Sequence, residues 1–464
     1  MLPATTHRQR RAALADRIDG PILLVGHGQR PRNLPAVLVP FRQDSTFLYF
    51  TGCAMADAAL LIEDDGRSTL FLPRPADDDP LWHGEVPGFA DLQATLGVDA
   101  VVGADQLEST VGDRRPRTLA IADLARNRLA QRLAGSELQF GVKHGDDALV
   151  DAVIAMRRTK SAEELDQLRQ AASHTVAAHL AVMRACRPGA HERVLTALFE
   201  GVLAARGCAP GYGTILTQRG EVLHNDRHDL TLEAGGLLLI DGGGEVASGY
   251  GADVTRTLPV SGSYTPRQRA AYDAVLEAQL ASIAQCRPGT PYRAVHDASC
   301  AVLARFLCDE RLLTCSPEEA LERHAHALFF PHGVGHHLGM DVHDLENFGD
   351  LPSYPDGMSR PEPFGTCYLR LNLPLEEGWV VTIEPGFYVV PAILRDATLR
   401  ERFGDIVDYD RTAQWLGFGG IRTEDDVAIL AEGPEVLTGA LPKTAADVEA
   451  VIGTGPDASE LLSC

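Results

Sequence analysis

Four short segments carry side chains whose types and spacing suit metal chemistry. Residues 240–260, IDGGGEVASGYGADVTRTLPV, are two strand-like stretches around a Gly-rich turn. A turn centred near Ala247 sets Asp241 opposite Asp253 across a hairpin. Opposed positions place Cβ atoms roughly 4.5–5.5 Å apart, and two carboxylates that close repel unless a cation or a proton lies between them. Residues 324–344, HAHALFFPHGVGHHLGMDVHD, hold six of the sixteen histidines. His332, His336 and His343 are interleaved there with glycines that permit close backbone approach, and neutral imidazole is a common metal ligand. His324, His326 and His337 read individually as core histidines. In VVTIEPGFY (380–388) Glu384 ends an apolar strand at a Pro-Gly turn, and in GFGGIRTEDDVAIL (417–430) Arg422 and Glu424 are two apart on a strand, hence on one face.

Asp241, Asp253, His336, Glu384 and Glu424 together offer four carboxylates and one imidazole. Four negative charges balance two divalent cations and leave room for a bridging hydroxide. Oxygen-rich, thiolate-free donors favour a hard ion, Mn²⁺ ahead of Zn²⁺ or Co²⁺. A paired site of this kind lowers the pKa of bound water and clamps a tetrahedral intermediate.

The elements that must position these groups repeat. CRPGA (186–190) and CRPGT (286–290) each follow one helical stretch and precede another, and LEAGGLLLID (232–241) resembles LEEGWVVTIE (375–384). Asp241 and Glu384 are then equivalent positions in two α+β halves related by an approximate two-fold, with a site between them. Residues 1–158 form a separate α/β domain. PILLVG (21–26) and FRQDSTFLYFTG (41–52) read there as strands, and ALLIEDDGRSTLFLPR (59–74) reads as a hairpin around Asp-Asp-Gly. Ser161 and Glu164 in RRTKSAEEL fit a capping box that opens the second domain, 159–464.

Composition narrows the function. The chain has 464 residues, 45% of them apolar, with no run near the roughly 20 residues a membrane span needs. No apolar export segment follows the N-terminal arginines, so a cytoplasmic location is expected. Nine scattered cysteines without a CxxC pair predict reduced thiols rather than a disulfide framework. A formal charge of −22 repels phosphate backbones and argues against nucleic acid as a partner.

The order Asp, Asp, His, Glu, Glu, with the phrases HGVGHHLGMDVHD, IEPGFY and GGIRTEDDV, resembles the pita-bread metallopeptidases: methionine aminopeptidase, aminopeptidase P and prolidase. The resemblance covers about 165–432. It implies an N-terminal creatinase-like domain ahead of a pita-bread domain. It implies that Asp241 chelates one ion, that Asp253 and Glu424 bridge both, and that His336 and Glu384 hold the other, Glu384 also shuttling a proton. His224, His332 and His343 match active-site histidines, and Arg422 the arginine that supports the bridging carboxylate. Within the class, FRQDSTFLYFTG, the segment 389–417 and Arg370 resemble prolidase, where such an arginine binds the free carboxylate of an Xaa-Pro dipeptide. A dipeptidase is therefore expected, with an Xaa-Pro aminopeptidase acting on longer peptides as the alternative and a non-catalytic binding module as a remote one. Trp82, in LWHGEVPG (81–88), resembles a prolidase tryptophan that reaches the neighbouring subunit's site, which implies a homodimer. The chain departs from the family in an Asp-to-Asp interval of twelve rather than eleven, a shorter loop before His224, and Asn225 in place of an aromatic residue.

Overall fold

A computed structural model describes residues 2–462. The chain divides into two units, Met1–Arg157 with Leu345–Pro352, and Arg158–Asp344 with Ser353–Cys464.

The apolar runs of the first unit form a five-stranded mixed sheet. Its strands lie in the order Ala100–Gly103, Ser68–Leu72, Ala59–Ile62, Ile22–Val25, Arg117–Thr118. The hairpin around Asp64-Asp65-Gly66 forms as expected, with Ile62 paired to Ser68. Alternate side chains, among them Leu23, Val25, Leu61 and Phe71, face one buried cluster. The segment 41–52 is not a strand. Ser45–Thr51 is an α-helix, because Asp44 caps it by accepting from the Phe47 amide at 2.8 Å and Gly52 ends it at φ 64°. Every residue of that helix is buried, so packing outweighs the β propensity of its aromatic and Thr residues.

The second unit opens with the capping box that Ser161 and Glu164 form on helix Ala162–Ala185. Helix Glu192–Ala205 packs beside it, and the pair Pro266–Gln285 and Tyr292–Asp309 repeats the arrangement. The two joints between helices are fastened alike. The Gly189 amide donates to the Leu232 carbonyl at 2.9 Å, and the Leu232 amide to the Ala190 carbonyl at 2.7 Å. The Gly289 amide donates to the Leu375 carbonyl at 2.7 Å, and the Leu375 amide to the Thr290 carbonyl at 2.8 Å. These are the residues of the two sequence repeats.

The strands duplicate as well. Leu237–Asp241 lies between Ile215–Thr217 and Thr255–Pro259. Val380–Ile383 pairs with Asp425–Leu430 on one side. On its other side it exchanges backbone bonds with residues 334–338: Leu338 donates to Val380, Thr382 to His336, and Glu384 to Val334. The glycine-histidine segment thus stands in the second half where strand Ile215–Thr217 stands in the first.

Gly189 and Gly289 sit at φ 87° and 85°, and a Cβ at either would meet nothing within 4 Å. Alanine there strains the backbone without a clash, at roughly 1–2 kcal/mol. Gly189→Ala and Gly289→Ala should each lower the urea midpoint by a similar amount. A loss at one position alone would contradict the equivalence of the two halves.

Candidate metal centre

Asp241 ends its strand, and its partner across the ladder is Thr255, not Asp253. The turn centres on Ser248, one residue beyond the expected position, because Glu245 pairs with Gly251 and the Val246 amide bonds to the Tyr250 carbonyl. Asp253 is therefore diagonal to Asp241. The offset is even, so both side chains still share a face. Both are buried. The Tyr212 hydroxyl meets both carboxylates, at 2.6 Å from Asp241 Oδ1 and in a short contact with Asp253 Oδ1.

His336 is placed by glycine. A Cβ at Gly335 would collide with the Thr382 carbonyl oxygen and with the Tyr292 hydroxyl, so only glycine lets this segment lie against strand Val380–Ile383. The His336 amide donates to Thr382 Oγ1 at 3.1 Å. Its Nδ1 lies 2.9 Å from the His337 carbonyl oxygen, which can only accept, so Nδ1 carries the proton. Nε2 lies 3.4 Å from Asp253 Oδ2 and 3.8 Å from Glu384 Oε1. A proton on that nitrogen pairs it with the two carboxylates in the ion-free protein, and without that proton its lone pair can ligate a cation lying between them.

Three sets of candidate ligand atoms lie within 4.8 Å of one another: Asp241, Asp253 and Glu424; His336, Glu384 and Glu424; and Asp253, His336 and His343. Glu424 belongs to the first two and Asp253 to the first and third. The five ligands expected from the sequence come together, and the donor chemistry fits two hard divalent ions.

The charges show the same imbalance. Burial pushes the Asp241 carboxyl above its ordinary range against the pull of Arg422. Burial raises Glu384 to about 7, and it raises Glu424 well above its usual value, with Asp253 and Glu384 adding to the effect. Asp253 ends below its usual value, because His336 and Tyr212 outweigh the upward push of burial.

Arg422 departs from its expected place. Its Nη2 pairs closely with Asp241 Oδ2, not with Glu424. It reaches Glu424 through Thr255: Nε donates to Thr255 Oγ1 at 3.0 Å, and that hydroxyl donates to Glu424 Oε2 at 2.6 Å. Arg422 Nη1 also donates to the Tyr388 hydroxyl at 3.0 Å, which leaves the tyrosine proton for His332 Nε2 at 2.9 Å. His332 Nδ1 then donates to the Gly333 carbonyl at 2.8 Å and stands 3.8 Å from Glu384 Oε2. Burial, then Arg422, lowers His332 to about 3, and Arg370 and His224 add to the effect. The imidazole is neutral.

His343 lies with its ring 4.2 Å from that of His336 and is exposed. His224 is exposed on the loop after Thr217. A Cβ on Gly333 would meet the Leu369 Cα at 3.0 Å and the Arg370 nitrogen at 3.4 Å, so Arg370 follows a strand of chain pressed onto the histidine segment. His326 and His337 are buried, the latter against the Trp379 ring at 5.0 Å. Neither they nor His324 enters a ligand set. Trp82 does not pack into its own unit. It is 69% exposed on the short helix Asp79–His83, its Nε1 donating to Asp78. Tyr212, Thr255 and Thr382 carry no signal in the sequence, and Tyr388 stands out only as part of IEPGFY. Each is an uncharged residue whose role appears only through its partner. Every cysteine among the described residues is a free thiol. No helix among them is long and apolar enough to cross a membrane.

The chain belongs to metallopeptidase family M24, whose model matches residues 166–431, and residues 7–118 match the aminopeptidase P N-terminal domain. Its fold is accordingly that N-terminal domain followed by a pita-bread domain. Among similar proteins, a probable Xaa-Pro aminopeptidase of Ajellomyces capsulatus is 32% identical over 470 aligned residues, covering 97% of this chain and 96% of the relative. Another, of Talaromyces marneffei, is 33% identical over 423 residues, covering 89% and 88%. The structure of Pseudomonas aeruginosa aminopeptidase PepP superposes with a TM-score of 0.82 at 29% identity, covering 99% of each chain. Proline aminopeptidase P II from Yersinia pestis gives 0.80 at 28%, covering 98% of this chain and 100% of that one. The chain is thus a metal-dependent peptidase by family. The relatives carry the name of the alternative reading rather than that of the dipeptidase.

The raised Glu384 sets a pH dependence. A carboxyl raised from 4.5 to about 7 in the fold stabilises the ion-free chain below pH 4.5 and loses that contribution as pH rises through about 7. Glu424 acts in the same direction. The melting temperature of chelator-stripped protein should fall across that window, and Mn²⁺ should abolish the fall. A flat stripped-protein profile would show that the carboxylates do not repel as described.

Proposed function

We propose that this chain is an Xaa-Pro aminopeptidase, releasing the N-terminal residue from peptides whose second residue is proline. The observation that carries the reading is similarity to proteins of that name along nearly the whole chain, through both units. The dipeptidase reading rests only on Arg370, the segment 389–417 and the 41–52 phrase, which is a helix here.

Asp241, Asp253, His336, Glu384 and Glu424 would hold two divalent ions, with Mn²⁺ first among the candidates. Bound there, the ion pair supplies Lewis-acid activation of water and of the scissile carbonyl. Glu384 takes a proton from the attacking water at a carboxylate oxygen and returns it to the proline nitrogen, since an amide nitrogen leaves only once protonated. His332, neutral and held by Tyr388 and Gly333, orients the peptide beside Glu384. His224 and His343 line the exposed side of the site and take substrate backbone groups. Arg422 fixes Asp241 and, through Thr255, Glu424.

The substrate test compares Ala-Pro-Ala with Ala-Pro. The tripeptide should have the higher kcat/KM, and Arg370→Ala should lower the dipeptide value more than that of an Xaa-Pro amide. A guanidinium that meets a terminal carboxylate has that partner only in the free acid. A strong dipeptide preference, lost in Arg370→Ala, would restore the dipeptidase reading.

The protein acts as a homodimer in which Trp82 covers the partner's site. An exposed indole suits that task, offering a large apolar area at low entropic cost. Sedimentation should give a dimer, and Trp82→Ala should raise KM with little change in melting temperature. A fully active monomer would refute it.

A further inference from the structure

The ligand carboxylates hang on backbone that is held from behind. Ile383 pairs with Asp425 at the rung before a break in the ladder, so Glu384 and Glu424 face each other inside that break. Pro385 follows and has no amide to donate, and the pairing resumes in the same register with Gly386 opposite Arg422.

Asp425 is fully buried at this rung. Its Oδ1 accepts from Arg256 Nη2 at 2.8 Å and Thr438 Oγ1 at 2.7 Å. Its Oδ2 accepts from Lys443 Nζ at 2.9 Å and Gln279 Nε2 at 3.1 Å. Four donors fill a carboxylate's lone-pair sites. Two of these donors also grip main-chain oxygens of the site. Arg256 Nη1 donates to the Thr255 carbonyl at 2.9 Å and to the Glu424 carbonyl at 2.6 Å. Gln279 Nε2 donates to the carbonyl of Ile383, the residue before Glu384, at 3.2 Å. Gln279 Oε1 is buried with no partner, so the amide is oriented solely by what its NH₂ holds.

We propose that Asp425 is a positioning residue for the two-ion site, anchoring Arg256 and Gln279 so that Glu424 and Glu384 meet at a fixed separation. It touches neither ion nor substrate. It acts on the two carbonyls beside the ligands, and through Thr255 on the hydroxyl that bonds Glu424. The proposal rests on the two-ion reading above and can fail independently of it.

The test is calorimetric titration of chelator-stripped protein with MnCl₂, using wild type, Gln279→Met and Asp425→Asn. Gln279→Met removes the grip on Ile383 without unpairing a buried charge, so it should fold with an unchanged near-ultraviolet spectrum. Wild type should take up two ions. In Gln279→Met the weaker step should lose affinity by about 10-fold or more, as supporting residues behind metal ligands typically do. Its kcat should recover at saturating Mn²⁺, which a general loss of structure would not allow. Asp425→Asn should weaken the step further; if it does not fold, Gln279→Met alone decides. A wild-type isotherm in Gln279→Met overturns the proposal. Fewer than two ions in wild type would instead sink the two-ion reading, and the proposal with it.

Discussion

Four carboxylates share one small, largely buried space, and their mutual repulsion is the constraint to which the rest of the site answers. Two unit charges about 4 Å apart repel by about 4 kcal/mol even at an effective dielectric of about 20. A domain's entire stability is only about 5–15 kcal/mol. Asp241, Asp253, Glu384 and Glu424 therefore cannot all ionise without compensation. Arg422 supplies one positive charge to Asp241, and Tyr212 shares one proton between Asp241 and Asp253. What remains unbalanced is answered in the ion-free chain by raised carboxyl pKa values, and by cations when they bind.

The duplicated architecture explains how such a cluster is assembled. One half brings Asp241 and Asp253 on a hairpin, and the other brings Glu384 and Glu424 across a break in a ladder. His336 comes from the segment that replaces, in the second half, the outer strand of the first. The halves are also tied through charge, since Arg256 of the first is ion-paired with Asp425 of the second. The cations behind the site, buried Arg256 and half-buried Lys443, pair with Asp425 rather than with the ligands. The ligand charges are left for cations to answer.

The ligand set is legible because charged residues in apolar surroundings are conspicuous. Leu237–Ile240 run into Asp241 and Val380–Ile383 into Glu384, and a carboxylate at the end of a buried strand needs a positive partner. Six histidines among glycines, close by in the chain, point to what that partner is. The repeat is legible for a related reason: CRPG and Leu-Glu-x-Gly mark joints that must turn, and turning restricts residue type. Helix Ser45–Thr51 reads as a strand because its aromatic and Thr residues favour strands, while the Asp44 and Gly52 caps and complete burial decide otherwise. The hairpin centre shifts by one residue because turn geometry, not strand sequence, sets the register.

By itself the sequence determined which side chains could ligate, that two halves would supply them, and that the chemistry would be metal-dependent. Those follow from composition and local spacing, which a chain carries whether folded or not. Only the tertiary structure decided that Arg422 grips Asp241 and reaches Glu424 by way of Thr255, that Tyr212 stands between two aspartates, and that Tyr388 leaves His332 with its proton on Nδ1. Hydroxyl groups acquire such roles from the donors and acceptors around them. Those neighbours lie tens to hundreds of residues away in the chain and come within about 3 Å only when the sheets close.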